Sequence, residues 1–131
     1  MILTLLLVAQ ASPDPNWNCA EPLVQQEMNW CAHKEFLAAD AKLNKQWKRT
    51  AAHMKQLDEA YEEATPGSTR ENFARLLKAQ RAWLTYRDAH CASEGDMFSG
   101  GSMEPLIIST CKTRLTELRT EQLGVLMGID G

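Results

Sequence analysis

Ala79-Gln80-Arg81-Ala82-Trp83-Leu84-Thr85-Tyr86-Arg87-Asp88-Ala89-His90-Cys91 reads as a strong helix with an unusual inner face. Gln80 and Arg87 fall in phase with Leu84 and Cys91, along the stripe that a helix turns toward a core. Polar groups at such positions destabilise a fold unless they are paired. The segment is therefore built against a specific surface, in its own domain or in another protein.

Working outward, Ser68-Thr69-Arg70-Glu71 has the form of a capping box, with Ser68 as N-cap and Glu71 reaching back from N3. The spacing predicts a helix over 69–92 that buries Phe73, Leu76, Leu77, Leu84 and one edge of Trp83. Upstream, Leu37, Ala41, Asn44, Trp47, Ala51, Met54 and Tyr61 recur at helical period, widened by Phe36, Leu43 and Leu57. They predict a first helix over 23–64, ended by Thr65-Pro66-Gly67, where Pro breaks the ladder and Gly accepts the cap conformation. This exceeds the length of most globular helices, which leaves a kink or break near Cys31 open. Downstream, Glu94 to Gly101 reads as a flexible glycine-containing loop. Ser102 then caps a third helix with Pro105 in its permissive first turn, burying Ile107, Cys111, Leu115, Leu118 and Leu126. Strand signals are absent. The expected fold is all-α, an antiparallel three-helix bundle (four if the first helix breaks) stapled by two disulfides.

The chain of 131 residues suits one domain, and 44% hydrophobic with 24% charged residues marks an ordinary globular composition. Residues 1–11 read as a signal peptide: an apolar run from Ile2 to Val8, too short to span a bilayer, then the small-x-small Ala9-Gln10-Ala11. No Lys or Arg precedes that run. Residues 12–18 form a turn-rich linker and 19–127 the helical domain. Such a leader implies an exported chain, with no membrane anchor expected in its mature part.

In an exported domain, Cys19, Cys31, Cys91 and Cys111 imply disulfides rather than a zinc site, because no pair has C-x-x-C spacing. Of three connectivities, topology favours one. Cys91 near the end of helix two and Cys111 about two turns into helix three come side by side in a hairpin. Cys19–Cys31 remains, and it closes only if helix one starts after Pro22 or breaks before Cys31, since bridged Cα atoms lie within about 7 Å.

The net charge of −3 argues against nucleic-acid binding, which needs a basic face, and no anionic-membrane patch stands out. None of His33, His53 and His90 lies in a catalytic motif; His33 and His53 read as solvated residues among lysines. Glu27, Asp40, Asp88 and Glu94 could form paired carboxylates, but ion pairing with Arg81 and Arg87 is the simpler account. We expect no catalytic residue, metal or cofactor. Within the bundle, Arg87 is expected to reach Asp40 or Glu27, and Gln80 to meet Asn44, a polar network that sets helix register.

Three blocks resemble a known family: Gln26-Glu27-Met28-Asn29-x-Cys31-Ala32, Ala39-Asp40-Ala41-x-Leu43-Asn44, and Ala79-Gln80-Arg81-Ala82-Trp83-x-x-Tyr86-Arg87-Asp88-x-x-Cys91. With Gly100-Gly101-Ser102-Met103-Glu104-Pro105 and Cys111 they are similar to the LprI-type lysozyme-inhibitor domain family, from about Cys19 to Leu123. The resemblance implies a small exported helical bacterial domain with no assigned enzymatic activity. The family's named member is a lysozyme inhibitor, so the expected partner is a protein, lysozyme, and the expected mechanism is steric occlusion of the enzyme's cleft. The named member of that family is a lipoprotein, and this sequence has no lipobox cysteine. The expected binding loop is Glu94, Asp96, Met97, Phe98 and Glu104, because loops on rigid scaffolds often carry binding. The alternative is a periplasmic structural or envelope-stress interaction domain that does not inhibit lysozyme.

Overall fold

The computed structural model describes residues 16–128, and the expected signal peptide over 1–11, with most of the linker, lies outside them. Among the described residues three helices follow one another, α1 (Gln25–Ala64), α2 (Asn72–Asp96) and α3 (Glu104–Val125), and there is no strand. The fold is all-α.

α1 is one unbroken helix of 40 residues. It contains neither Gly nor Pro, so nothing in it interrupts the hydrogen-bond ladder, and the fourth helix does not arise. Gly67 takes φ +86° just past its end, a backbone state that glycine adopts without steric cost. α1 begins after Pro22, and the preceding arm folds back so that Cys19 bonds to Cys31 with Cα atoms 5.5 Å apart. Cys91 bonds to Cys111 across the α2–α3 hairpin, also at 5.5 Å. No cysteine is free.

The core is compact: Leu43, Met54, Leu76 and Leu123, flanked by Trp47, Phe73 and Trp83. Its position corrects the expected stripe on α1. Ala39, Leu43, Thr50, Ala51 and Met54 are buried, whereas Leu37 is 48% exposed and Ala41 and Asn44 face solvent. The cause is packing geometry. α3 packs more extensively on α1 than α2 does, and small side chains allow that close approach, so the buried face turns toward Ala39 and Thr50. Leu84, Leu118 and Leu126, also expected inside, remain partly exposed.

Both expected N-caps are corrected as well. α2 begins at Asn72, not Thr69, and neither Ser68 nor Glu71 caps it. Asp58 does so from α1: its carboxylate accepts the N–H groups of Asn72 (2.9 Å) and Phe73 (3.0 Å) and the Asn72 side-chain amide. A tertiary carboxylate thus satisfies donors that a local side chain would otherwise have to meet. α3 starts one residue beyond Met103 with no side-chain cap. Ser102 instead offers its carbonyl to Asn29 Nδ2 at 2.9 Å.

Candidate functional site

α2 runs through Glu94 and Gly95 to Asp96, so the segment expected to be a flexible loop is half helix and half tight turn. Gly95 is buried, and a Cβ there would stand 2.6 Å from Ile108 Cγ1. Only glycine lets α3 approach α2 so closely. The following turn is hydrogen-bonded throughout: Phe98 N–H donates to Gly95 O at 2.9 Å and Gly101 N–H to Phe98 O at 2.9 Å. Gly100, at φ +76°, donates its N–H to the Glu104 carboxylate at 3.0 Å. Asn29, itself held by Gln25 Nε2 at 2.8 Å, ties the turn to α1. The Cys91–Cys111 bridge closes the base of the hairpin.

This frame presents apolar side chains to solvent. Met97 is 74% exposed, Phe98 38% and Met103 40%. They border a shallow hollow of about 380 Å³. A second hollow of about 490 Å³ lies beside it, with Phe36, Pro105 and Ile108 as apolar walls and His33, Glu104 and Lys112 at its polar edges. Gly101 belongs to both, so the disulfide end of the bundle is one continuous uneven surface.

The five residues expected to form the loop divide by role. Met97, Phe98 and Asp96 are exposed and point outward from the turn. Glu94 is engaged internally, with Arg114 Nη2 at 2.8 Å and His90 Nε2 at 3.3 Å. Glu104 braces the turn through Gly100. Sequence reading missed Met103, Asn29 and the α1 residues His33 and Phe36, whose nearness to the turn comes only from the packing of α1 against α3. His90, Glu94 and Cys111 bring a donor atom each within 4.8 Å of one another. The Cys111 sulfur is in a disulfide, so it is no thiolate and the trio lacks the ligand that a soft metal would need.

The expected polar network takes a different form. Arg87 is buried, with Nη1 3.6 Å from Asp40 Oδ1 and 3.3 Å from Thr116 Oγ1, and Nε 3.0 Å from Asp88 Oδ1. Phe36 and Trp83 rings flank its guanidinium. Gln80 does not meet Asn44, which is exposed. Its Oε1 accepts from Arg119 Nε at 2.9 Å, and burial lowers the Arg119 pKa from its ordinary value. Glu27 is buried but takes no part, since it lies 13 positions before Asp40, about 20 Å further along α1. These contacts join the helices internally and leave the surface to the turn.

Among the described residues, no helix is long and apolar enough to cross a membrane. The two disulfides are consistent with an extracytoplasmic location. The chain is 38% identical over 128 residues to the uncharacterized protein R02472 of Rhizobium meliloti (strain 1021), covering 95% of this chain and 91% of that protein. No solved structure matches it. The sequence model of the family described as Lysozyme inhibitor LprI matches residues 18–123. The chain therefore belongs to the LprI lysozyme-inhibitor family.

Proposed function

We propose that this protein is a periplasmic or secreted inhibitor that binds a lysozyme through the α2–α3 turn and blocks its cleft. The single observation that carries the reading is the exposure of Met97, Phe98 and Met103 on a turn held by a disulfide, by Glu104 and by Asn29. Rigid presentation of apolar side chains lowers the entropy cost of binding, and a few such anchors supply most of the energy of an interface. Asp96 adds exposed negative charge beside them, which would speed encounter with a basic enzyme surface. The family description supports the choice of partner. Mechanism in this reading is steric: the turn fills space that the glycan would occupy, and no chemical step on the inhibitor is required.

The test is lysis of bacterial cells by lysozymes of several types, with the oxidised protein added in increasing amounts. Dose-dependent protection against at least one type is expected. Full lysis at large excess with every type would refute the proposal.

A further inference from the structure

We propose that the outer sides of α1 and α2 form a docking surface for an anionic lipid bilayer. The proposal is independent of the inhibitor reading and concerns a different part of the molecule. Between Ala41 and Leu57, α1 carries Lys42, Lys45, Lys48, Arg49 and Lys55 without one Asp or Glu. Between Asn72 and Arg87, α2 carries Arg75, Lys78 and Arg81, again without a carboxylate. All eight side chains are exposed, and none forms an ion pair with another described residue.

The two runs lie alongside each other. Asp40 faces Arg87, Trp47 meets Phe73 with ring centroids 6.5 Å apart, and Asp58 caps Asn72, so the helices are antiparallel over this stretch. The run on α1 is about 25 Å long at 1.5 Å per residue. Carboxylates cluster beyond its ends, at Glu27, Glu35 and Asp40 on one side and Asp58, Glu59, Glu62 and Glu63 on the other. The centre of the run, at Lys48 and Arg49, is more than a Debye length of about 8 Å from most of them. The net charge of −3 averages over this segregation and hides it.

Only the first part of the stripe on α1 that sequence periodicity placed in the core belongs to this surface, since Ala51 and Met54 are buried and Trp47 packs on the core. Leu37, Ala41, Asn44, Lys48 and Lys55 recur at helical spacing and are all exposed. Leu37 (48% exposed) continues this stripe and Leu84 (38%) follows Arg81 by three residues, whereas Leu57 (43%) turns to a hollow with Tyr61 and Arg70. Long basic side chains with scattered leucines fit a headgroup layer, where ammonium groups meet phosphates and apolar tips enter the boundary. Apart from Lys55 over the Phe73 ring, these cations have no fixed partner geometry. That suits mobile lipid charges better than a protein epitope, whose carboxylates need matched positions.

The test is co-sedimentation of the full oxidised protein with phosphatidylcholine vesicles, with and without phosphatidylglycerol, at low and high salt. Retention is expected only with phosphatidylglycerol, with a fall of at least about tenfold at high salt. Lys45→Glu, Lys48→Glu, Lys78→Glu and Arg81→Glu combined should abolish it. The corresponding Gln set should weaken it about tenfold or more, and decides the matter if the Glu set does not fold. Equal binding to neutral vesicles, no binding at low salt, or unchanged binding by a folded variant would overturn the proposal. So would retention on heparin without retention on vesicles, which would mark a soluble polyanion as the ligand.

Discussion

Arg87 on α2 reaches Asp40 on α1 at 3.6 Å and Thr116 on α3 at 3.3 Å, so one guanidinium touches all three helices. Its stem and planar group also fill space against Phe36 and Trp83. Arg87→Ala should lower stability by about 2–4 kcal/mol, through lost packing and through stranding the Thr116 hydroxyl. Arg87→Lys should recover only part, since an ammonium lacks the fork. Denaturant unfolding checks both.

Thr50 is fully buried, and its Oγ1 donates to the Leu123 carbonyl at 2.9 Å while accepting from Gln46 Nε2 at 3.0 Å. Thr50→Val keeps the shape and removes the donor. The cost should be about 1–3 kcal/mol, the penalty of leaving a buried carbonyl unsatisfied. Thr50→Ser, which keeps the hydroxyl, should lose mainly a methyl group. Comparing the two variants by thermal unfolding separates hydrogen bond from packing.

The Asp58 cap makes stability depend on pH. The Phe73 N–H holds the carboxyl below its ordinary value of 3.8, with further help from Asn72 and Arg70 against some opposing desolvation. A folded pKa below the unfolded one means the contribution is fully present above the unfolded value and is lost as pH falls through the folded one. Asp58→Asn should therefore lower Tm at neutral pH, and the difference from the parent should shrink below about pH 4. A constant difference across the whole range would exclude the charge-based account.

The two disulfides should respond differently to reductant. Cys91 and Cys111 are completely buried, whereas Cys19 is exposed. Stepwise reduction with mass-spectrometric trapping should open Cys19–Cys31 first. Replacing Cys91 and Cys111 together by Ala should cost about 2–4 kcal/mol and should also weaken inhibition, because the turn loses its base.

Met97 is 74% exposed, so Met97→Asp should leave Tm within a degree or so of the parent. On the proposed function it should nevertheless reduce inhibition by about tenfold or more, as loss of an interfacial anchor does. Phe98→Ala should act in the same direction. Lysis assays alongside thermal unfolding distinguish a binding defect from a folding defect.

Helix number, the bundle class and the cysteine pairing were readable without coordinates, because each rests on local or topological rules. Periodicity marks helices, Thr65-Pro66-Gly67 stops one, and a hairpin brings Cys91 to Cys111. What tertiary packing decided was which way each helix faces. Leu37 and Ala41 satisfy the same period as Ala39 and Leu43, and only the approach of α3 selects between neighbouring stripes. Caps moved for a related reason: Ser68 had the local chemistry, but Asp58 lay close enough in space to take the donors. Gln80 found Arg119 rather than Asn44 because partner choice depends on helix rotation, which no single helix encodes. The turn residues Met97 and Phe98 were visible in the chain as loop candidates. The neighbours that give them a surface, Phe36, His33 and Met103, come together only when α1 packs against the hairpin, since sequence spacing specifies contacts within a helix and packing specifies those between helices.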